Sequence, residues 1–488
     1  MDLSNFPVMT KAKTGASLLS LSLDRDGGET LQAQLLTQLR RLILHGGLSP
    51  GSKLPSSRTL AAELSVSRVT VAAVIDQLIS EGYLEGRARS GVFVEAELPD
   101  LAPRSATDPL GPAEPDETFQ PVPPRPFDVS APDMAEFPFR QWSRHHDAVW
   151  RYPDAELLQR PDPFGWHPLR RAIAEHLAQW RGLRCGADQI IITSGLGEAI
   201  SILAETLFAP GDAVMTENPG YGAMNRALRR NGLQAVPVVV DDQGFDIRRG
   251  QHTVSGAKGV IVTPSRHYPL GVTMPLTRRL ELIDWAKQND GYVIEDDFDS
   301  EYRYQGQPLP AMMNLSNDDR VIYVGSFSKV VFSALRLGFV VVPRSLIGRF
   351  REGVCDVDPQ ASVMVQPVMA RFMESGDFAT HIRRMRRMYS KRHSALVTAL
   401  ERYAGDLLEV DNIPSGMHLV VRPSLELASR LSDAEISKRA RQRGVNLMPL
   451  SGFFEGPETA RGLVLGFAGF DERALEDAAR VLADCLRS

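Results

Sequence analysis

Short apolar runs alternate with helical patterns between about residues 189 and 342. Seven such runs, rich in β-branched residues, occur at Gln189–Thr193, Ala213–Thr216, Ala235–Val240, Lys258–Thr263, Tyr292–Asp296, Arg320–Val324 and Leu337–Val342. Wholly apolar runs of this length, separated by helices, are typical of strands that are covered on both faces. The pattern therefore predicts an α/β domain with one mostly parallel sheet. Beyond about residue 350 the chain is richer in long helical patterns, with short strands near His418–Arg422 and Leu463–Phe467.

The first hundred residues follow a different pattern. An apolar stripe at helical spacing predicts a first helix, and its members are Leu31, Leu35, Leu39, Leu42 and Ile43. A short second helix ends near Leu64, and Ser67 is the predicted N-cap of a third helix. The apolar face of that third helix consists of Val71, Val74, Ile75 and Leu78. Two short β segments follow, at 83–85 and 92–94. Three helices and a hairpin of this size predict a winged helix-turn-helix.

Nine prolines lie between Leu98 and Asp128, among few aliphatic residues. Neither a helix nor a central strand tolerates that density, so we expect an extended linker. The sequence therefore predicts a flexible arm over 1–28, a winged helix over 29–97, the linker over 98–128 and a larger domain over 129–488.

Composition narrows the class of protein. A chain of 488 residues is too long for one core, and 43% hydrophobic with 24% charged residues is ordinary for a soluble protein. Because neither a membrane-length apolar run nor a signal peptide occurs, we expect a cytoplasmic chain without a membrane partner. The cysteines, Cys185, Cys355 and Cys485, are far apart, which suggests neither disulfides nor a metal site. A net charge of -5 would by itself argue against nucleic-acid binding, unless a few cations are well placed.

The polar first turn of the third helix is the candidate for base recognition. Its side chains are those of Ser67, Arg68 and Thr70. Residues of such a turn enter the major groove and meet base edges. The cations that flank it, and that would neutralise phosphates, are Lys53, Arg58, Arg87 and Arg89. The alternative is a small helical docking domain with scattered surface arginines.

A second candidate site surrounds Lys329, which follows the apolar run Val321–Val324 and a Gly/Ser turn. A lysine in such a turn can form a Schiff base with an aldehyde cofactor, because burial lowers its pKa. Arg336 and the hydroxyls of Ser326 and Ser328 would offer charge-assisted bonds to a phosphate.

Two carboxylates end another apolar run 33 positions before Lys329, at Asp296 and Asp297. Pyridoxal phosphate needs a carboxylate against its pyridine nitrogen, so that the ring acts as an electron sink. Each feature alone is common, since a turn lysine is usually solvated and an Asp pair is usually a turn. Together they predict a pyridoxal phosphate site, although spacing does not decide between the two aspartates.

Residues 129–488 resemble a fold-type I aminotransferase. The stretches that add to the resemblance are Phe137-Pro-Phe-Arg, Asp162-Pro-Phe-Gly-Trp-His-Pro-Leu-Arg, Thr193-Ser-Gly, Glu217-Asn-Pro-Gly-Tyr, Thr263-Pro-Ser and Pro269-Leu-Gly. The resemblance implies a large sheet domain with a smaller C-terminal lobe. It also implies that Lys329 holds the cofactor as an aldimine, that Asp296 rather than Asp297 pairs with the ring nitrogen, and that Arg336 binds the phosphate.

Further cofactor contacts follow from the same resemblance. Ser194, Gly195 and Leu196 lie between a strand and a helix, where the outward amides of a helix N-terminus would bind phosphate. Tyr221 is the candidate ring stacked on the pyridine, against the alternative of a packing aromatic. Ser265, beside Arg266 and His267, would meet the phenolate oxygen or a substrate group.

The chain also departs from the patterns of its relatives. Many have tyrosine where this chain has Phe298, so a hydrogen bond to the cofactor's phenolate oxygen is lost there. The loop that often has the sequence Ser-His-Gln-Phe is Ser265-Arg-His-Tyr here. Ala223 stands where the GABA-responsive relative has a carboxylate-binding arginine, so a GABA effector is not expected.

The N-terminal segment is similar to GntR-type DNA-binding domains, through Leu54-Pro-Ser-Ser-Arg-Thr-Leu-Ala, Ser67-Arg-Val-Thr-Val and the Gly-Tyr-Leu…Arg-Ser-Gly wing. In that family Arg58, Ser67, Arg68 and Thr70 sit where operator contacts are made, and Gly91 lies where the wing tip meets the minor groove. Val69 replaces a polar residue of many members.

The combination resembles the MocR/GabR subfamily of transcriptional regulators over nearly the whole chain. It implies operator DNA as partner, a small amine or amino-acid effector, and a homodimer with swapped DNA-binding heads. One alternative is an active aminotransferase with an N-terminal extension, and residual transamination stays open. Another is a sensor for which pyridoxal phosphate itself is the signal.

Overall fold

The structure is a computed structural model that describes residues 21–25, 28–88, 90–96, 123–129, 132–158, 162–307, 309–316, 318–357 and 361–487. The chain divides into two compact units, Met1–Pro121 and Val122–Ser488. None of the described helices is both long and apolar enough to cross a bilayer.

The first unit is a winged helix-turn-helix, as predicted. Its elements are α1 (Leu31–Leu44), α2 (Ser57–Glu63), α3 (Arg68–Ser80), β1 (Leu84–Arg87) and β2 (Gly91–Val94). The helices begin at Thr30, Ser56 and Ser67, whose hydroxyls each accept a backbone N–H of the first turn. The two strands are antiparallel, with Leu84 opposite Val94.

The predicted apolar faces form the core of this unit. The buried side chains include Leu35, Leu39, Ile43, Leu60, Val71, Val74, Leu78, Leu84 and Val94. Each helix contributes one face and the hairpin closes the end, so the remaining face of α3 stays open to solvent.

A seven-stranded sheet organises the second unit. Its strands are β3 (Ile190–Thr193), β4 (Ala213–Asn218), β5 (Gln234–Val239), β6 (Gly259–Val262), β7 (Tyr292–Asp297), β8 (Val321–Ser326) and β9 (Gly338–Val341). The order is β3-β9-β8-β7-β6-β4-β5, and β9 runs antiparallel to both neighbours while the other pairs are parallel. All seven predicted runs are strands, which confirms the mostly parallel α/β fold.

Helices cover this sheet and build the C-terminal lobe. They are α4 (Phe139–Trp150), α5 (His167–Trp180), α6 (Leu196–Leu207), α7 (Gly222–Arg230), α8 (Ile247–Thr253), α9 (Leu276–Gln288), α10 (Ile347–Val357), α11 (Gln366–Glu374), α12 (Asp377–Ala404), α13 (Leu425–Arg430), α14 (Asp433–Gln442) and α15 (Glu472–Arg487). The lobe has an antiparallel sheet of order β10-β11-β13-β12, from β10 (Leu408–Asp411), β11 (His418–Pro423), β12 (Met448–Pro449) and β13 (Leu463–Gly466). The sequence predicted β11 and β13 but not the edge strands β10 and β12.

Phe127 lies in the predicted linker, yet its ring is fully buried in the core of the second unit. The backbone carbonyl of Phe127 accepts a 3.0 Å hydrogen bond from the Gly466 amide on β13. Residues 123–128 therefore pack against the C-terminal lobe. The rest of the predicted linker up to residue 122, and residues 1–20 of the predicted arm, lie outside the described residues.

We predict that Phe127→Ala destabilises the second unit by about 3–5 kcal/mol, the cost of removing a fully buried phenyl ring from a packed core. The measurement is the midpoint of chemical unfolding of the full chain. Leu425→Ala is the matched control, because 92% of Leu425 is exposed and its truncation should change the midpoint little. Equal midpoints for the two variants would contradict the packing role of Phe127.

Candidate functional site

The predicted site residues converge on one edge of the large sheet. In the register, Thr193 of β3 and Ser326 of β8 both stand opposite Gly338 of β9, while Asp296 of β7 stands opposite Val324 of β8. The C-terminal ends of β3, β7 and β8 thus lie side by side. Tyr221 and Ser265 follow the C-terminal ends of β4 and β6, the next strands along the same edge.

One face of β7 carries a buried ion-pair network. Arg181, at the end of α5, lies 3.0 Å from Glu295 and 2.9 Å from Asp297 (guanidinium nitrogen to carboxylate oxygen). Asp297 also accepts hydrogen bonds of 2.6 Å from the Tyr323 hydroxyl and 2.7 Å from the Ser300 hydroxyl. The neighbouring carboxylates hold the pKa of Arg181 above its usual value in spite of its burial. The Asp297 carboxylate is therefore fully paired within the protein and stabilises the fold.

Asp296 lies on the opposite face, because successive side chains of a strand alternate. It is buried, and within the described residues its carboxyl group has no hydrogen-bond or ion-pair partner. Burial, with smaller contributions from Asp297 and Asp299, raises the pKa of Asp296 to about 7. A buried carboxyl group without a partner is costly, so this position is suited to a ligand that brings a cationic or N–H group.

Lys329 lies half-buried in the turn after β8. The turn is fixed by backbone hydrogen bonds from Val331 to Phe327 (2.8 Å) and from Phe327 to Leu337 (3.1 Å). Burial lowers the pKa of Lys329, while the charge of Asp299 opposes the shift. A larger fraction of the amine is therefore unprotonated at neutral pH, as a nucleophile requires.

Arg336 and the start of α6 form a cradle beside this lysine. A Cβ built on Gly195 would lie 3.8 Å from the Arg336 guanidinium, and one built on Gly338 would lie 3.2 Å from the Gly195 Cα. Gly195 has φ +120°, which strongly favours glycine. The Arg336 guanidinium therefore lies close to the N-terminus of α6, where an anion is favoured.

Some polar groups of the cradle form hydrogen bonds within the protein, and the Thr193 hydroxyl does not among the described residues. The Ser194 amide donates to the Glu198 carboxylate (2.5 Å), and the Ser326 hydroxyl accepts from the Ser328 amide (3.2 Å). The Thr193 hydroxyl is buried and has no hydrogen-bond partner in the described part of the chain. Asp296, which has no partner among the described residues, the Lys329 amine of lowered pKa and the Arg336 guanidinium at a helix start fit the ring nitrogen, aldehyde and phosphate of pyridoxal phosphate.

Five aromatic rings lie near the same edge, and we name them the Tyr268 cluster. Tyr268 packs edge-to-face against Tyr221 (5.8 Å between ring centroids), Phe298 (5.6 Å), His418 (5.4 Å) and Phe453 (5.5 Å). Tyr221 is 49% exposed, so its ring has an accessible face. The cluster brings the predicted stacking ring and Phe298 together around a tyrosine for which the sequence suggested no role.

The loop that carries Tyr268 is tied to both lobes. Arg266 is buried, lies 3.1 Å from Asp299, and donates 2.7 Å to the His418 carbonyl on β11. Burial raises the pKa of Asp299 to about 6, against the effect of Arg266. The Ser265 hydroxyl accepts a 2.6 Å bond from Arg181, so the ion-pair network holds it.

Most of the predicted DNA-contacting residues that the structure describes are exposed, namely Lys53, Arg58, Ser67, Arg68 and Gly91. Arg68 and Val69 are exposed at the start of α3, and 79% of Val69 is accessible. Ser67 and Thr70 bond each other through their hydroxyls (2.7 Å), because Ser67 caps the helix. No carboxylate of the described residues pairs with Lys53, Arg58 or Arg68.

The wing is only partly described. Arg87 pairs with Glu85 (2.8 Å), and its guanidinium lies 4.7 Å from the Phe93 ring centroid. Gly91 has φ +111°, and a Cβ there would meet the Lys53 side chain at 2.8 Å. Arg89 lies outside the described residues.

Sequence reasoning missed Arg181, Tyr268 and His418. Arg181 is 114 residues from Glu295 in the chain, and a lone arginine at a helix end carries no pattern. Tyr268 ends the sequence Ser265-Arg-His-Tyr, which differs from Ser-His-Gln-Phe, and this aromatic position is the signal that the sequence offers.

Two protein-family models match the chain. Residues 31–94 match "Bacterial regulatory proteins, gntR family", and residues 153–482 match "Aminotransferase class I and II". The second match covers more than half of the chain.

Relatives match over almost their whole length. The chain is 36% identical to the "Probable rhizopine catabolism regulatory protein MocR" of Rhizobium meliloti, over 94% of both chains. It is 33% identical to the "HTH-type pyridoxine biosynthesis transcriptional regulator PdxR" of Corynebacterium glutamicum, over 96% of this chain and 98% of that protein. Among solved structures, the kynurenine aminotransferase of Pyrococcus horikoshii, in complex with PMP, is 26% identical with a TM-score of 0.66, over 74% of this chain and 90% of that one.

We predict that Asp297→Asn and Asp296→Asn affect the stability of the cofactor-free protein in different ways. Asp297→Asn should lower stability by about 1–3 kcal/mol, because it removes the charged acceptor of Arg181 and Tyr323 while Glu295 still pairs with the guanidinium. Asp296 behaves differently, since its folded-state pKa is raised from 3.8 to about 7. Its stabilising contribution is complete below about pH 4 and is lost as pH rises to about 7.

Asp296→Asn should therefore reduce the fall in thermal midpoint between pH 5 and pH 7.5, compared with the unchanged protein. Thermal unfolding at several pH values measures both effects. An Asp296→Asn variant with the full pH dependence, or an Asp297→Asn variant of unchanged midpoint at pH 7, would contradict the assignment of the two carboxylates.

Proposed function

The chain belongs to the MocR type of gntR-family regulatory proteins, in which a winged helix-turn-helix precedes a class I and II aminotransferase domain, and from this membership we propose that it is a transcriptional regulator that depends on pyridoxal phosphate. The observation that carries the proposal is the presence, in one chain, of the exposed Arg68 on a recognition helix and the buried Asp296, neither of which has an ion-pair partner among the described residues. Relatives that match over nearly the whole chain are named as regulators, which favours regulation over the aminotransferase alternative.

Operator DNA is the partner of the first unit. Arg68 and Val69 at the start of α3 reach base edges in the major groove. Lys53 and Arg58 neutralise phosphates and set the orientation on the duplex, because cations without carboxylate partners lose no ion pair on binding. Thr70 and Ser67 fix the start of α3, and Gly91 brings the wing close to the minor groove.

Pyridoxal phosphate is the cofactor of the second unit. Pyridoxal phosphate supplies an aldehyde carbon that reacts reversibly with primary amines and a ring that accepts electron density. Lys329 is the amine that holds it covalently, and Asp296 accepts the N–H of the protonated ring. Arg336 and the Gly195 and Leu196 amides bind the phosphate, with the hydroxyls of Ser194, Ser326 and Ser328 nearby. Tyr221 covers one face of the ring.

The effector is a small amine or amino acid that competes with Lys329 for the cofactor. Ala223 offers no charge for a carboxylate, which disfavours GABA. An effector shifts DNA binding only as far as it prefers one conformation of the protein over another. In a second candidate function, pyridoxal phosphate itself is the signal. The similarity to a regulator that is named for pyridoxine biosynthesis supports this second candidate.

A homodimer completes the proposal. The second unit exposes large apolar side chains around α4 and just before α11, namely those of Phe139, Tyr152, Leu158 and Met364. Exposed apolar patches of this kind mark interfaces, and a second copy of the chain would cover them. Two DNA-binding heads, exchanged between subunits, match an operator with two half-sites.

Lys329→Ala should abolish covalent retention of the cofactor, because the ε-amine is the group that is lost. Visible absorbance after soaking in pyridoxal phosphate, and the mass of the protein after borohydride reduction, measure retention. Lys287→Ala is the control, since Lys287 is an exposed lysine paired with Asp318, and it should keep both signatures. A colourless unchanged protein with no mass adduct would refute the cofactor.

Arg68→Ala should weaken operator binding about tenfold or more, because one lost base contact is worth about 1–3 kcal/mol. The cofactor spectrum should not change. Footprinting and titration on DNA upstream of the protein's own gene, with and without candidate amines or pyridoxal phosphate, measure the binding. Arg41→Ala, an exposed arginine on α1, is the matched control. A coupled loss of DNA binding and cofactor would contradict two separate sites.

A further inference from the structure

Helix α12 carries a run of cations that the proposed function does not use. Between Asp377 and Glu401 the helix has six lysine and arginine residues and no acidic residue. The whole chain, in contrast, has a net charge of -5. The positive charge of this segment is therefore a local feature, which the average composition of the chain does not explain.

Two of the six cations pack within the second unit. Arg392 is buried and lies 2.8 Å from Asp133 (guanidinium nitrogen to carboxylate oxygen). Arg386 is half-buried, and its guanidinium lies 5.7 Å from the centroid of the Trp180 ring. The four others are exposed to solvent, namely Arg383, Arg384, Arg387 and Lys391.

The exposed residues of α12 between Thr380 and Thr398 form one face, because they recur at helical spacing. We name this surface the α12 face, and its members are Thr380, Arg383, Arg384, Arg387, Lys391, Ser394 and Thr398. At 1.5 Å per residue, its four cations extend over about 12 Å of the helix. The other three members have hydroxyl groups, so the face offers hydrogen-bond donors and no carboxylate of its own.

Ion pairing on this face is sparse. Arg384 lies 3.4 Å from Glu136, and both side chains are more than 40% exposed. No carboxylate in the described part of the chain lies within ion-pair distance of Arg383, Arg387 or Lys391. Solvent-exposed cations without such partners lose no ion pair when they bind an external anion.

The spacing of the three cations has a cost for the isolated protein. Arg383, Arg387 and Lys391 follow each other at intervals of four residues, and side chains at that interval are neighbours on a helix. Like charges at that interval repel each other and destabilise the helix. Anions bound beside the helix reduce this repulsion, so the row of charges is suited to a partner with repeated negative charges.

We propose that the α12 face is a second DNA-contacting surface, which binds backbone phosphates of a duplex that the first unit holds. The inference rests on the proposed function, since the winged helix is what brings DNA to the protein. Because both units belong to one chain, DNA bound by the first unit is at a high effective concentration for the second. Phosphate contacts carry no sequence information, so the α12 face adds affinity and salt dependence without changing the preferred sequence.

The test is the salt dependence of DNA binding by the full-length protein. One variant combines Arg383→Gln, Arg387→Gln and Lys391→Gln, because glutamine removes the charge and keeps a high helix propensity. Each phosphate contact contributes about -0.9 to the slope of log affinity against log salt concentration, so the slope should become shallower by about two to three. A long random-sequence duplex is the probe, since this contribution does not depend on sequence.

A second triple variant has the same change in net charge and serves as the control. It combines Arg349→Gln, Lys438→Gln and Arg473→Gln, which remove exposed cations from the separate helices α10, α14 and α15. This control should keep the slope of the unchanged protein. The thermal midpoint of the α12 variant should equal or exceed that of the unchanged protein, because repulsion between neighbouring cations is removed.

The possible failures have different causes. If the unchanged protein binds no duplex at low salt, the proposed function is wrong and this inference is wrong with it. If the unchanged protein binds DNA and the α12 variant has the same slope, only the role of the α12 face is overturned. An equal loss of slope in the control would attribute the effect to net charge. A changed oligomeric state of the α12 variant in light scattering would assign the face to a second copy of the chain, and either result would also overturn the role.

Discussion

The ion pairing of Arg181 with Glu295 and Asp297 is the constraint on which the second unit depends. Arg181 is 2% exposed and shares its guanidinium between two carboxylates on one face of β7. Removing Arg181 would leave two buried carboxylates without their cation. Because side chains of a strand alternate, the same strand must point Asp296 to the other face. The network on one side thus fixes the direction of the carboxyl group on the other.

That arrangement explains why the adjacent residues Asp296 and Asp297 have different environments. Asp297 has three partners, so its place is filled within the chain. Asp296 has none among the described residues and is protonated more readily than a solvated carboxyl group. A protein keeps such a group only where a ligand completes it or where the cost is small against the rest of the core. The first unit shows the reverse condition, since Lys53, Arg58 and Arg68 are exposed cations that pair with no carboxylate of the described residues.

The sequence predicted most of the framework because the relevant patterns are local. Wholly apolar runs located all seven strands of the large sheet, and helical stripes, with Ser67 as the cap of the third helix, located the helices of the first unit. The edge strands β10 and β12 were not predicted because they are short and their side chains are partly exposed. β10 has four residues and β12 has two. The burial of Phe127 was not predicted because its partner strand β13 lies more than 300 residues away in the chain.

The grouping of the candidate site residues at one edge of the sheet was predictable for the same reason. Lys329, Arg336 and Asp296 stand at strand ends in recognisable motifs, and adjacent parallel strands necessarily gather such ends at one edge. The choice between Asp296 and Asp297 required Arg181, whose position depends on how α5 packs. The role of Ser265 likewise depends on Arg181, which holds its hydroxyl. Contacts between segments 30 to 150 residues apart are set by tertiary packing, and no single stretch of sequence encodes them.

The loop of Tyr268 gives the site a physical connection to both lobes of the second unit. Arg266 and Pro269 bond to His418 of β11, while Thr263 bonds to Glu217 of β4. On the other side of the cluster, the Gly220 amide donates to the Phe453 carbonyl of the C-terminal lobe. A ligand that touches Tyr221 and Tyr268 therefore contacts groups held by both lobes at once. The binding free energy of such a ligand depends on the spacing between the two lobes. This dependence is what allows a ligand to favour one arrangement of the lobes over another.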